Sequence, residues 1–414
     1  ILFMAHTDSV KMGPGAFDDI VSAAAMLEGL RALTRVKPVR DMVFLFTDGE
    51  EQGLLGAALF VRDHPEFQPK TRLVINLEAR GNRGALIMFE STHSNLNMVR
   101  AYARTAPKPV TLSIANSVYR IMRNDTDLTR FIMAGCPGMN FAVIDGASAY
   151  HTMDDNYENF DRRSAMHYLG TATALATGFA TQPDLNLTAT EDGVFFPLWP
   201  GNVVIFSRTL ADVLAFAAIV LYVVVLAYLV ARRQAGLLRV LAVAGLSLLA
   251  LALTGGIAYG LIELGGVWPA LDNLARVDDG RYALIACAVV GVLVAPLFML
   301  ALRKRGGGVS AAMGVLLLPA LLAPATVFLF PSASYLFSVP VLLGLFSVLT
   351  NRWCRVGIIP ALVAFITLLL FVPLAALVLI ALGVKVAYGP VILVALAMTI
   401  AMGLWRMGQD EWAV

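Results

Sequence analysis

The chain has 414 residues, room for two or three domains, and 58% of them are hydrophobic against 14% charged, which excludes a single soluble globular body. A net charge of +2 without any basic cluster interleaved with aromatics excludes nucleic acid as an expected partner. Three cysteines, at 136, 287 and 354, exclude a disulfide framework or a thiolate zinc site.

The apolar excess is uneven. All five histidines (6, 64, 93, 151 and 167) lie in the first 170 positions, and long uncharged runs begin only after about residue 210. The expected organisation is a soluble-type domain over 1–185, a linker over 186–209 and a membrane domain over 210–414.

In the first domain, short apolar runs predict strands over 1–5, 42–46, 73–77, 85–89 and 139–144, the run 42–46 being read as buried in a parallel sheet. Ile1 opens inside the first strand, so an N-terminal segment is expected to be missing. Apolar residues at 20, 24, 27, 30 and 33 predict a helix, and further helices are expected over 54–61, 96–104 and 164–181, the last capped by Asp161. Alternating strands and helices predict an α/β sandwich with a mixed, largely parallel sheet. The linker is rich in Pro, Asp, Asn and Gly, and its Phe195, Phe196 and Trp199 suit a membrane interface just ahead of a span.

The second half predicts an all-α membrane domain of about seven spans, over 211–231, 240–262, 282–302, 309–330, 334–350, 357–382 and 387–405, most of them close to the ~20 residues a bilayer needs. Arg232, Arg233 and Arg239, then Arg303, Lys304 and Arg305, then Arg352 and Arg355 fall in every other loop. This bias puts the first domain on the non-cytoplasmic side and the C-terminus in the cytoplasm. The spans hold no central ionisable group besides Asp212 near the start of the first, which argues against an ion-coupled transporter.

Five polar stretches fall at the expected strand and helix ends: His6-Thr7-Asp8, Gly15-Ala16-Phe17-Asp18-Asp19, Glu50-Glu51, Asn76-Leu77-Glu78 and Tyr150-His151-Thr152. An isolated Glu-Glu pair reads as a solvated turn and a lone His-x-Asp as a surface feature. A parallel sheet changes that reading, because it gathers strand carboxyl ends on one edge. Two imidazoles and three carboxylates without sulfur suit a catalytic zinc pair with open positions, one carboxylate bridging ions roughly 3.5–4 Å apart.

These stretches, with Pro14, Gln52-Gly53-Leu54-Leu55-Gly56 and Ala79-Arg80-Gly81, resemble the di-zinc aminopeptidases of metallopeptidase family 28. Asn124-Asp125-Thr126-Asp127-Leu128 and Pro137-Gly138-Met139-Asn140-Phe141-Ala142 resemble the branch that includes endoplasmic-reticulum metallopeptidases and fungal vacuolar membrane proteases. The resemblance implies a zinc-exopeptidase fold and hydrolysis of peptides by a chain holding two Zn2+ ions in a lipid bilayer. His6 and Glu78 would hold one zinc, Glu51 and His151 the other, and Asp18 would bridge them. Glu50 would be the general base, Asp8 would orient the His6 ring, and Tyr150 would stabilise the oxyanion.

Removal of N-terminal residues is the expected activity. A carboxypeptidase or amidohydrolase on the same site, and a non-catalytic peptide-binding scaffold, are the alternatives. Spans rich in Ala, Leu and Arg point to a bacterial inner membrane facing the periplasm, with a eukaryotic lumen as the alternative. Glu78 stands where many members have Asp, and Met153 replaces a usual Pro, which should loosen the loop after His151. His64, His93 and His167 read as surface histidines, Cys136 as a semi-buried small residue, and Asp127 as either a helix cap or a residue near the substrate pocket.

Overall fold

In a computed structural model of the chain, residues 1–122, 124–199, 201–267, 289, 307–350, 358–383 and 386–409 are described. They fall into two units, Ile1–Arg208 and Thr209–Val414.

The first unit is built on strands β1 (Leu2–His6), β2 (Val43–Thr47), β3 (Val74–Ala79), β4 (Ile87–Ser91) and β5 (Gly138–Val143). They form one sheet of order β2-β1-β3-β5-β4. Every pair is parallel except β4 against β5. Side chains alternate across the pleat, so β1, β2 and β3 each feed two cores. Phe3, Ala5, Ile75, Leu77 and Phe141 pack with Met26 of α1 (Ser22–Leu33) and Leu175 of α6 (Arg162–Thr181). Leu2, Met4 and Val74 pack on the other face with Ala57 of α2 (Leu55–Asp63) and Phe131 of α5 (Asp127–Met133). With both faces covered, β1, β3 and β5 are buried throughout, and the polar Asn76 and Asn140 inside β3 and β5 bond each other across the sheet.

Several expectations shift. The run at 42–46 is the edge strand β2, and Phe46 is 37% exposed, because a strand with one neighbour is covered on one side only. The first helix becomes regular only at Ser22, after an irregular turn over Ala16–Val21 in which Asp18 and Asp19 leave helical backbone angles. Helix α3 (Leu96–Thr105) lies where expected, whereas α4 (Ser113–Ile121) occupies a stretch with no expected element. The stretch read as a linker contains an antiparallel hairpin, β6 (Gly193–Trp199) and β7 (Asn202–Ser207), turned at Gly201 with φ +82°. Phe195 is 0% exposed in the core of the first unit, so this aromatic is a core residue and not a membrane-interface one.

Among the described residues, six helices are long and apolar enough to cross a membrane: Arg208–Ala231, Leu237–Glu263, Gly308–Leu329, Pro331–Thr350, Ile358–Leu382 and Tyr388–Met407. They coincide with six of the seven expected spans, and the remaining one, 282–302, lies outside the described residues. Between two of these helices, the Tyr222 hydroxyl donates to the Met313 carbonyl at 2.8 Å, an interhelical bond suited to a medium without water.

Candidate metal centre

His6 closes β1 and is 2% exposed. Its Nδ1 lies 3.0 Å from the Asp8 main-chain oxygen, a group that only accepts, so Nδ1 carries a proton. Nε2 therefore faces inward, 3.3 Å from Asp18 Oδ1 and 3.6 Å from Glu78 Oε2. Asp8 thus holds the His6 ring mainly through its backbone. Its carboxylate has another job: Oδ1 and Oδ2 accept the Glu50 and Glu51 amides, each at 3.1 Å. That pairing fixes the acidic turn after β2, which is bounded by Gly49 (φ +73°) and Gly53 (φ +111°).

Asp18 stands between the two imidazoles, its Oδ2 lying 3.2 Å from His151 Nε2. The irregular turn that presents it is held from below by Asp155, which accepts the Phe17 amide at 2.8 Å and the Asp18 amide at 3.0 Å. Asp19 is fully buried, accepts the His6 amide at 3.3 Å and keeps Oδ1 without a partner. Glu51 Oε1 is 3.0 Å from His151 Nε2, yet the contact lacks hydrogen-bond geometry and the oxygen is buried without a partner. Two groups that approach this closely without bonding each other fit a shared cation.

His151 arrives on the loop after β5 in the left-handed region, φ +58°, which is uncommon for a residue with a side chain. The Tyr150 ring stacks on it at 3.7 Å between centroids. The loop expected to be loosened by Met153 is tied instead, since Ala16 N–H donates to the Asp155 carbonyl and Asp155 N–H to the Thr152 carbonyl.

The described residues thus offer two ligand groups, His6–Asp19–Glu78 and Asp18–Glu51–His151, with the donor atoms of each within 4.8 Å of one another. Imidazole nitrogen and carboxylate oxygen without sulfur is a donor set that fits zinc. Burial opposes charge on His6, but the Asp18 and Glu78 carboxylates outweigh it and hold the imidazole above its ordinary range. Burial also works against the Asp18 carboxylate, and the His151 and His6 rings overcome it and hold it below the usual range. Burial, reinforced by Glu78, pushes Glu50 up to about 9, and burial with Asp18 pushes Glu51 up to about 7. Such crowding of carboxylates is what a dication relieves. Burial, with Asp18 and Glu78, raises the Tyr150 phenol and keeps it a hydrogen-bond donor.

All eight residues singled out in the sequence are therefore found at one edge of the sheet, most of them linked by the contacts above. Sequence reasoning missed Asp155, whose only signal was a carboxylate four positions after His151, and left Asp19 without a role. Asp127 is the first residue of α5, behind Thr126 as the cap, and its carboxylate accepts the Thr47 hydroxyl beneath the acidic turn. His167 is part of the scaffold, its Nδ1 accepting the Leu86 amide at 3.1 Å and its Nε2 donating to the Lys108 carbonyl at 2.9 Å.

A mostly parallel sheet with two His/carboxylate groups at its carboxyl edge defines an α/β domain with a candidate two-metal centre. Residues 1–176 match the profile of peptidase family M28, whose members are zinc-dependent peptidases. It is 37% identical over 167 residues to endoplasmic reticulum metallopeptidase 1 of Mus musculus, covering 39% of this chain and 18% of that one. It is 31% identical over 215 residues to the vacuolar membrane protease of Leptosphaeria maculans, covering 50% of this chain and 26% of that one. The chain spans about a quarter or less of these curated relatives. Among solved structures it is similar to an aminopeptidase from Aneurinibacillus sp. strain AM-1, with TM-score 0.37, 20% identity and 46% of each chain covered.

Proposed function

We propose that the chain is a membrane-anchored zinc exopeptidase that removes N-terminal residues from peptides outside the cytoplasm and holds two zinc ions. His6 and Glu78 would hold one ion, Glu51 and His151 the other, and Asp18 both. The observation that carries this reading is the Asp18 carboxylate lying 3.3 Å from one imidazole nitrogen and 3.2 Å from the other. Asp19 already accepts the His6 amide, so it supports the strand end more than it serves as a bridge.

Zinc, when bound, supplies Lewis acidity and lowers the pKa of water toward about 7. Glu50 takes the proton of the attacking water on its carboxylate and delivers it to the nitrogen of the leaving amine. It sits beside Glu51 on a turn whose amides Asp8 holds, so base and ligand keep a fixed separation. The Tyr150 hydroxyl donates to the peptide carbonyl oxygen as negative charge gathers there. The N-terminal preference rests on the resemblance of the motifs, and the side of the membrane on the Lys/Arg bias of alternate loops.

The test is hydrolysis of short peptides by the full chain. Activity should be lost to a chelator and restored by zinc. Glu50→Gln should lower kcat by about 10²–10⁴-fold with zinc content unchanged; an unaltered kcat rejects the assigned base. Acetylated peptides should be refused, and equal cleavage of them would move the reading to a carboxypeptidase or amidohydrolase.

A further inference from the structure

We propose that Asp155 is a positioning residue that fastens the Asp18 loop to the His151 loop, so that the affinity of one zinc ion of the pair depends on it. The inference rests on the two-zinc reading above.

Asp155 is 3% exposed and touches none of the donor atoms. It binds three successive amides across the molecule: Ala16 N–H at its main-chain oxygen (3.1 Å), Phe17 N–H at Oδ1 (2.8 Å) and Asp18 N–H at Oδ2 (3.0 Å). Asp18 departs from helical angles (φ −108°, ψ 84°), so this turn cannot satisfy those amides within a regular helix, and a buried unpaired amide is strongly disfavoured. Asp155 supplies the acceptors that let the turn exist.

The same residue belongs to the loop that carries His151. Asp155 N–H donates to the Thr152 carbonyl at 3.2 Å, and the Thr152 hydroxyl donates to the Ala149 carbonyl at 2.9 Å, which closes the loop on both sides of the left-handed His151. One carboxylate therefore sets the distance between two ligands 133 positions apart (151 minus 18). The cluster of Asp18, Glu51 and His151 depends on Asp155 for two of its three members. The cluster around His6 and Glu78 draws those two from strands β1 and β3 and shares only Asp18 with this arrangement.

The experiment titrates zinc into the chelator-stripped full chain in detergent against a competing fluorescent chelator. Wild type should take up two ions. In Asp155→Ala one ion should bind about 10–100-fold more weakly, the range for removing a group that orients ligands, with the other nearly unchanged. Asp155→Asn keeps one carbonyl acceptor and should lose less. Asp154→Asn, a neighbouring exposed carboxylate, should match wild type. Excess zinc should restore hydrolysis in Asp155→Ala, a rescue that a purely structural role would not give.

Wild-type affinities for both ions in Asp155→Ala overturn the inference. So does an equal loss of both ions with an earlier unfolding of the zinc-free protein in Asp155→Ala and Asp155→Asn alike. If wild type itself takes up fewer than two ions, the two-zinc reading fails and the inference falls with it.

Discussion

His6 and His151 face the same Asp18 carboxylate, but the chain delivers them by different means. His6 ends a strand flanked by β2 and β3, is paired in register with Thr47, and has a side chain 1% exposed. His151 sits on a loop in a left-handed conformation with its side chain 37% exposed. Sheet register fixes the first; hydrogen bonds reaching across the sequence, through Asp155, fix the second. One half of the centre is part of the core and the other is attached to it, so the two halves should respond differently when broken.

The largest expected difference is in the stability of the zinc-free protein. His6→Ala leaves Asp18, Asp19 and Glu78 buried together without their cationic partner, and breaking a buried ion pair costs about 3–5 kcal/mol. The same change at the half-exposed His151 should cost on the order of 1 kcal/mol or less. Hydrogen exchange of the β1 and β3 amides in the two variants separates these outcomes. Equal protection in both would mean that the distinction between a core half and an attached half is wrong.

The same difference explains how far the centre was legible in the sequence. His6, Glu50, Glu51 and Glu78 follow apolar runs, and a run that stops at a carboxylate or histidine marks a strand end from residues alone. His151 carries no such local mark, and its place came from the order of the motifs. Asp155 was illegible because it binds backbone amides 137 and 138 positions away, which no spacing encodes. An apolar run does not report how many neighbours its strand has, so the edge position of β2 was missed. The hairpin at 193–207 was misread because Phe195 and Phe196 precede a span; the Pro200-Gly201 pair between two apolar runs was the turn signal that pointed the other way.

A smaller effect uses the two glutamates of one turn as probes of the two halves. Glu50 feels burial and then Glu78, on the core side, and rises to about 9; Glu51 feels burial and then Asp18 and rises only to about 7. Both folded-state values lie above the ordinary 4.5, so ionisation favours the unfolded chain. For Glu50 the resulting destabilisation is absent below about pH 4.5, grows from there and is complete only near 9. Glu50→Gln should therefore stabilise the zinc-free protein more at pH 8 than at pH 5, and Glu51→Gln should reach its full effect by about pH 7. Matched thermal unfolding series at several pH values show this, and identical curves for the two variants would remove the electrostatic contrast between the halves.

The smallest effect comes from a histidine without carboxylate neighbours. His167 is only partly buried, whereas His6 is 2% exposed, and its partners are the Leu86 amide, donating to Nδ1, and the Lys108 carbonyl, accepting from Nε2–H. Burial, unopposed by any anion, lowers its pKa, whereas Asp18 and Glu78 raise that of His6. The sign of the linkage follows. Above the ordinary value of 6.5 both folded and unfolded chains hold a neutral ring, and His167 adds no pH dependence. As the pH falls below it, the unfolded chain gains the proton first, so stability declines until the folded ring is protonated too and the Leu86 bond is lost. His167→Gln should flatten that decline between pH 7 and 5 in the zinc-free protein, read as a narrower spread of unfolding temperatures. An unchanged decline would mean that burial alone does not set this ring apart from His6, and that the carboxylates of the metal centre are not what divides the histidines of this domain.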